Sequence, residues 1–353
     1  MAVFCPNGKY SSLRFNLWQQ NNFCFGTDKV CLVFLLFTFY FSMPESISQS
    51  SLSRLTGQNI FSEQSYQTKA QPFLKWAGGK RQLLNAIAKF IPAEYTEYYE
   101  PFIGAGAVLF YLQPGIGTIN DTNSELVNCY RVIKDKPEDL LKLCELHFSK
   151  NSKEYYYKLR KQDRQACYSY LTDVERAARI IYLNKTCYNG LFRVNSRGEF
   201  NVPYGKYRNP TIADPVVINA ISSYLNQAQI NILNTDFEQA VANAKEGAFI
   251  YLDPPYHPLS DTSSFTGYSM NGFGAAEQVR LKQLCDRLTD KGCQILASNS
   301  AAPFIKELYN DSRYEVIEVK ATRAINTISS KRGKINEVLI YNKYPCRQVF
   351  QAK

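Results

Sequence analysis

A short polar motif that follows an apolar run constrains the fold of this chain most. Residues 248–252, Ala-Phe-Ile-Tyr-Leu, predict a buried strand, and Asp253, Pro254, Pro255 and Tyr256 follow it directly. In an open α/β sheet, ligands bind beyond the carboxyl ends of the strands, so the motif is expected at a binding crevice. Because proline donates no N–H and fixes φ, the carbonyls of Asp253 and Pro254 can face a ligand.

An amino group is the ligand that this motif suits. The oxygens of Asp253 and Pro254 would accept its hydrogens, and Tyr256 would stack on the ring that carries it. An ordinary turn is the alternative, because paired prolines commonly mark turns. These four residues alone leave both interpretations open.

Length and charge favour a multidomain protein with a polyanionic partner. The 353 residues suffice for two domains, or for one domain with an insertion. Lys and Arg number 41 against 31 Asp and Glu, which gives a formal net charge of +10. Such a charge attracts nucleic acid without specifying a fold or a substrate.

The cysteines and histidines argue against a metal site. The ten cysteines are scattered with no C-x-x-C pair, and His147 and His257 are the two histidines. We therefore expect no metal, and reduced thiols in a cytoplasmic protein. Cys187 as a nucleophile is disfavoured, because no histidine stands near it in sequence.

The first 69 residues are expected to be a disordered or non-native extension. The apolar run Val30–Phe41 has twelve residues, whereas a membrane-crossing helix needs about 20. It also begins too late for an ordinary signal peptide. The Ser- and Gln-rich stretch Ser42–Tyr66 lacks an apolar period. We expect Met43 to be the working start, with a membrane anchor as the alternative.

A paired-glycine turn opens the organised part of the chain. Gly78 and Gly79 allow a tight turn, and Lys80 then begins an amphipathic helix. Glycines beside a lysine can hold a phosphate, but the spacing differs from that of a phosphate-binding P-loop. A ligand that carries a carboxylate is an equally good candidate.

A second glycine turn predicts nucleoside binding. Residues 98–103 read as a strand that runs into Gly104 and Gly106, with a helix over Ala107–Leu112. The glycines let the backbone approach a nucleoside, and Asp121, after a second short strand, can hold both ribose hydroxyls. Alternatively, Asp121 caps a helix.

The middle of the chain, residues 131–230, is expected to be an inserted, mainly helical domain. Within it, Asn184–Gly205 reads as a β-hairpin around the turn at residues 195–198. Arg and Asn on a hairpin can read base edges, while Tyr and Leu can wedge into a base stack. A structural hairpin with exposed basic residues is the alternative.

The sheet resumes after the insertion. We expect a strand over Asn231–Phe237 that carries Asp236, a helix over Gly274–Asp290, and strands over Cys293–Asn299 and Glu337–Tyr341. The Gly-, Ser- and Tyr-rich loop Ser264–Phe273 suits a mobile lid. Two basic stretches, Arg323–Asn326 and Lys331–Lys334, suit either phosphate binding or an exposed turn.

Taken in chain order, these motifs resemble the Dam-type DNA adenine-N6 methyltransferases, the α group that includes the GATC enzymes. The resemblance extends from Pro72 to about Tyr344 and rests on Pro72–Lys80, Glu100–Gly106, Asp121, Asn184–Gly205, Asp253–Tyr256 and Arg323–Gly333. It implies a Rossmann-like α/β methyltransferase sheet with an inserted, mainly helical target-recognition domain that carries a β-hairpin. Residues 70–130 and 231–345 would form the catalytic domain, and 131–230 the recognition domain.

The resemblance also implies ligands and site residues. S-adenosylmethionine would be the methyl donor, and the partner would be double-stranded DNA, read at GATC. The protein would act as a monomer, without a membrane. The donor contacts would be Trp76, Lys80, Phe102, Gly104, Gly106, Asp121 and Asp236. The DNA contacts would be Tyr188, Asn189, Leu191, Arg193, Asn195 and Pro203.

The resemblance assigns methyl transfer to residues 253–256. Asp253 and the Pro254 carbonyl would accept both hydrogens of adenine N6 and localise the nitrogen lone pair for attack. The adenine must flip out of the duplex to be reached. A methyltransferase of RNA adenine or of protein glutamine, and a catalytically idle DNA-binding relative, are the alternatives.

Overall fold

The structure is a computed structural model that describes residues 69–76, 78–259, 273–322 and 334–346. Three sequence predictions lie outside the described residues. They are the N-terminal extension up to residue 68 with its start at Met43, the lid over residues 264–272, and the basic loop over residues 323–333.

The described residues form one seven-stranded sheet in the order β3-β2-β1-β4-β5-β7-β6. Strands β1 to β5 are parallel, and β7 lies antiparallel between β5 and β6. The bounds are β1 Tyr98–Glu100, β2 Ile116–Asn120, β3 Gln229–Leu233, β4 Phe249–Leu252, β5 Gln294–Ser300, β6 Glu315–Thr322 and β7 Lys334–Tyr341. The expected Rossmann-like α/β sheet is confirmed.

The strand order reverses between β1 and β4. From β1 the chain moves outward to β2 and β3, and it then returns to the other side of β1 as β4. Tyr98 pairs with Phe249 and Tyr99 with Ile250, so the carboxyl ends of β1 and β4 are adjacent. In doubly wound sheets a crevice opens at this reversal.

Several helices begin directly after a residue whose side chain caps them. Asn123 accepts the N–H of Leu126, and Asp214 accepts that of Val216. Thr172 and Glu175 form a reciprocal capping box. The helices are α1 Leu84–Ile87, α2 Ala107–Leu112, α3 Ser124–Asp135, α4 Pro137–Ser149, α5 Lys153–Arg160, α6 Asp173–Thr186, α7 Pro215–Gln227, α8 Phe237–Ala240, α9 Ala275–Asp290 and α10 Pro303–Leu308.

Helices α3 to α7 lie between β2 and β3, where the insertion was expected. The expected boundaries at 130/131 and 230/231 fall inside α3 and β3. Arg131 in α3 donates to the carbonyl of Ile232 in β3, so this helix is tied to the sheet. The division into two domains stays a prediction.

The recognition hairpin is less regular than its sequence suggests. Isolated bridges join Val194 to Phe200 and Cys187 to Tyr204, instead of a continuous ladder. Asn189 has φ of 56°, in the left-handed region, and follows Tyr188 in a short 3-10 turn. Side-chain hydrogen bonds replace part of the ladder, as Asn and Asp often do in turns.

Candidate active site

Asp253 stands directly after β4, at the carboxyl edge of the sheet. Its Oδ1 lies 2.8 Å from Lys80 Nζ and accepts a 2.8 Å hydrogen bond from Ser298 Oγ. Oδ2 accepts no hydrogen bond from any residue that the structure describes, and the side chain is 19% exposed. One carboxylate oxygen is thus held in place, and the other is open to a ligand.

Lys80, which was expected to contact the donor, is buried in the site and also contacts Asp253. Its side chain is 6% exposed, and Nζ donates to the carbonyl of Gly78 at 2.6 Å as well as contacting Asp253. Nζ also lies 4.8 Å from the centre of the Tyr256 ring. The lysine therefore bridges the glycine turn and the Asp253–Tyr256 motif.

Lys80 forms an ion pair with Asp253, and its charge also acts on the buried Glu100. Burial raises the pKa of Asp253, while the charge of Lys80 and the Ser298 hydrogen bond act in the opposite direction. Burial also raises the pKa of Glu100, against a 2.8 Å hydrogen bond from Tyr98. Two acids beside one lysine favour a further positive charge in the cleft.

The rest of the motif is fixed by groups on α9 and β7. Gln278 donates to the carbonyl of Pro255 at 2.8 Å, and the Tyr256 hydroxyl donates to Glu337 at 2.7 Å. The Pro254 carbonyl accepts no hydrogen bond within the described part of the chain. It is a second acceptor of the motif, next to Asp253, that has no partner among these residues.

The second glycine turn is built as the sequence predicts. Gly104 and Gly106 have φ of 48° and 71°, which other residues adopt rarely. Asp121 accepts the N–H groups of Gly104 and Asn123 at 3.2 and 2.9 Å. Burial raises its pKa. A Cβ at Gly104 would lie 3.0 Å from Trp76, so a larger residue would crowd the indole.

One cleft gathers much of the expected donor site. It is lined by Trp76, Gly78, Gly79, Lys80, Glu100, Ile103, Gly104, Ala105, Gly106, Ala107, Val108, Tyr251 and Asp253. Phe102, Asp121 and Asp236 are not among its lining residues in the described structure. Asp121 lies next to the cleft, because it accepts the N–H of Gly104, which lines it.

Asp236 is held in an ion-pair cluster at the edge of the sheet. It accepts the N–H of Glu238 at 2.9 Å and caps α8. Arg280 contacts both its oxygens, at 2.5 and 3.1 Å, and lies over the Phe237 ring. The Phe102 ring centre is 5.5 Å from that of Phe237, so two of the expected donor contacts lie close together.

The expected DNA contacts lie along one loop, residues 188–203. Tyr188, Arg193 and Pro203 are exposed, and Asn189 and Leu191 are partly buried. Asn195 differs from the others, because its side chain holds the turn. Its Oδ1 accepts the N–H groups of Arg197 and Glu199 at 3.0 Å, and its Nδ2 donates to Glu199.

Several residues of the site were not predicted from the sequence. Ser298, Gln278, Glu337 and Arg280 hold the predicted residues in place. The sheet register places Ser298: Leu252 pairs with Ala297 in the neighbouring parallel strand, so Ser298 comes level with Asp253. Among the described residues, no group of three or more His, Cys, Asp and Glu could hold a metal ion. None of the described helices is long and apolar enough to cross a membrane.

Comparison with known proteins identifies relatives over most of the chain. A type II methyltransferase, M1.LlaDCHI of Lactococcus lactis subsp. cremoris, is 50% identical over 272 residues, which cover 77% of this chain and 95% of the relative. The type II methyltransferase M.MjaIII of Methanocaldococcus jannaschii is 41% identical over 78% of this chain and 99% of the relative. The DNA adenine methylase of Haemophilus influenzae is 34% identical, covering 77% and 93%.

A family model agrees with these relatives. Residues 76–325 match the D12 class N6 adenine-specific DNA methyltransferases. The match includes both glycine turns, the recognition loop and the Asp253–Tyr256 motif, so membership in a DNA adenine-N6 methyltransferase family, as the motifs predicted, is confirmed. The protein is a member of the D12 class of N6 adenine-specific DNA methyltransferases.

Proposed function

We propose that this enzyme methylates N6 of an adenine that it flips out of duplex DNA, within the sequence GATC, and that residues 253–256 hold the adenine. The observation that carries the proposal is a pair of acceptors without hydrogen-bond partners among the described residues: Asp253 Oδ2 and the Pro254 carbonyl. An exocyclic amine has two hydrogens to donate. The Tyr256 ring, held by Glu337, supplies a face for the base.

The cleft fits S-adenosylmethionine, whose sulfonium supplies an electrophilic methyl group. Glu100 and Asp253, which both line the cleft, would favour the donor's ammonium group. Trp76 would contact the donor, and Asp121 would hold the ribose. Asp236, with the nearby Phe102, would lie at the donor's adenine.

The active-site residues act on the acceptor nitrogen. The lone pair of N6 is delocalised into the adenine ring, and hydrogen bonds to Asp253 Oδ2 and the Pro254 carbonyl localise it for attack. The Asp253 carboxylate also stabilises the positive charge that develops on N6, as preorganised acceptors do. Lys80 and Ser298 bind only Oδ1 and keep the carboxylate correctly oriented.

The rate of methyl transfer should fall as the pH is lowered, and the fall should occur at a pH above the ordinary pKa of an aspartate. The transfer needs ionised Asp253, and burial raises the pKa of this group. Activity is therefore present above the raised pKa and is lost below it. In Ser298→Ala the loss should begin at a still higher pH, because a hydrogen bond that favours the ionised form is removed. Single-turnover rates against pH measure both curves, and a Ser298→Ala curve displaced to lower pH contradicts the assignment.

We propose that the exposed loop 188–203 reads the DNA. Arg193 Nε donates to Asn201 at 2.7 Å, which orients the guanidinium on the loop surface. Arginine recognises guanine through two hydrogen bonds in the major groove. Asn189 and Pro203 would contact base edges, and Tyr188 with Leu191 would enter the stack. Asn195 would act by shaping the turn. The enzyme would work in the cytoplasm, as a monomer.

Replacing Arg193 with Ala should relax discrimination at one base pair by about 1–3 kcal/mol. Arg197, exposed on the same loop, is the matched control, and Arg197→Ala should lower affinity to a similar extent for all sequences. Affinities for duplexes with single substitutions in the target measure both effects. An equal loss for every duplex in Arg193→Ala would make Arg193 a phosphate contact instead.

Base flipping is tested with 2-aminopurine at the target adenine. The fluorescence of this base rises when it leaves the stack, so binding of the wild type should increase it. Tyr256→Phe should behave like the wild type if the ring alone stacks on the base. An unchanged signal on binding would contradict flipping.

The substrate class and target sequence are tested by labelled methyl transfer. We expect label from S-adenosylmethionine in duplex DNA, and none in RNA or in protein. Sequencing of modified bases should then place the methyl groups within GATC. Methylation of another sequence would contradict the proposed target, and label in RNA or protein alone would contradict the substrate.

A further inference from the structure

Asn184 joins the donor side of the molecule to the recognition loop. It lies near the end of α6 and is fully buried, at 0% exposure. Its Oδ1 accepts the N–H of Lys75 at 3.0 Å, and its Nδ2 donates to the carbonyls of Lys75 and Gly190 at 2.7 and 3.1 Å. One amide group therefore connects the backbone next to Trp76 with the backbone of the recognition loop.

The two segments are also in direct contact. The rings of Trp76 and Phe192 are stacked, with centres 4.8 Å apart. Gly190 has φ of 64°, and a Cβ at this position would lie 2.7 Å from Lys75 Cβ. The Lys75 segment and the loop are thus packed so closely that displacing one requires a change in the other.

Helix α6 also holds the second arm of the loop, which follows the turn at residues 195–198 and contains Phe200. The buried Arg179 pairs with Asp163 at 2.8 Å, and Asp163 accepts the N–H of Phe200 at 2.7 Å. Asn184 and Arg179 thus fix both arms of the loop relative to one helix. A displacement of the Lys75 segment that moves Asn184 therefore also moves helix α6 and the recognition loop that is attached to it.

We propose that Asn184 is a positioning residue that couples donor binding to DNA binding. The inference rests on the proposed function, in which the donor contacts Trp76 and Lys80 and the DNA contacts residues 188–193. A donor that orders the Trp76 segment would, through Asn184 and Gly190, order the loop that reads DNA. Because coupling free energies are reciprocal, the DNA must raise donor affinity by the same factor.

The test measures this factor in both directions. The dissociation constant of S-adenosylhomocysteine is determined with and without a duplex that contains the target, and that of the duplex with and without S-adenosylhomocysteine. In the wild type we expect each ligand to lower the dissociation constant of the other by about 5- to 150-fold. In Asn184→Ala the factor should fall to near one, although each ligand still binds alone.

Asn128→Ala is the matched control. Asn128 is also a buried helical asparagine, and it donates to the carbonyl of Asp173 at 2.8 Å, away from the loop. The control should lose stability and keep the wild-type coupling factor. Asn184→Asp retains the volume and replaces the two donated hydrogen bonds with a buried carboxyl oxygen that faces the carbonyls of Lys75 and Gly190, so it should also lower the factor.

Hydrogen exchange of the wild type tests the same inference without a variant. S-adenosylhomocysteine alone should slow exchange over residues 188–193. Unchanged exchange there, a wild-type factor of one, or an unaltered factor in folded Asn184→Ala each overturns the inference. A wild type that binds neither ligand, or that leaves DNA unmethylated, would instead contradict the proposed function.

Discussion

Replacing Asp253 with Ala is expected to abolish methyl transfer while DNA affinity remains within a few-fold of the wild type. The variant loses the carboxylate that accepts an N6 hydrogen and stabilises the charge on nitrogen. Removing one preorganised group of this kind typically costs about 100- to 1,000-fold in rate. The loop that would read DNA, residues 188–203, contains neither Asp253 nor its hydrogen-bond partners. Single-turnover kinetics and a DNA binding isotherm measure the two quantities.

Asp253→Asn is the matched variant for that experiment. It keeps the volume and an oxygen for Lys80 and Ser298, and it removes the negative charge. We expect it to be nearly as inactive as Asp253→Ala, because a neutral amide stabilises the developing charge poorly. Thermal melts establish that both variants are folded. A transfer rate close to that of the wild type in either folded variant would contradict the mechanism.

Replacing Arg179 with Met is expected to lower the free energy of unfolding by about 3–5 kcal/mol, because it leaves a buried charge without its partner. The Arg179 side chain is 2% exposed and pairs with Asp163 at 2.8 Å. It also donates to the carbonyls of Leu159 and Arg160, both at 3.0 Å. Urea denaturation followed by circular dichroism measures the change.

An exposed ion pair provides the control for Arg179. Lys142 and Asp139 lie 3.2 Å apart and are 72% and 63% exposed. Such pairs contribute about 0–1 kcal/mol, so Lys142→Met should barely change the denaturation midpoint. Equal effects of the two substitutions would show that the buried pair does not hold the helices and the recognition loop together.

The sequence predicted the elements whose apolar runs are short and clearly bounded. The strand before Asp253 and the helix Ala107–Leu112 lie where they were expected. The edge strand Glu315–Thr322 was missed, because the charged residues Glu315, Glu318 and Lys320 interrupt it and no apolar run marks it.

Contacts between segments that are distant in the chain could not be predicted from the sequence. Lys80 was expected at the donor, and its contact with Asp253 depends on how the first glycine turn packs against the end of β4. The bonds from Asn184 to Lys75 likewise depend on how α6 packs. Residue types and spacing predicted the chemistry of the site, whereas the partners that orient each group follow from tertiary packing.

The nucleosides of methylated DNA test the central claim most directly. Unmethylated duplex DNA is incubated with the wild type and S-adenosylmethionine that carries a labelled methyl group, then digested to nucleosides and analysed by mass spectrometry. We expect all the label in N6-methyladenine, and none when folded Asp253→Asn replaces the wild type. Label in a methylated cytosine, or equal labelling by the variant, would contradict the assignment of adenine N6 to the site formed by residues 253–256.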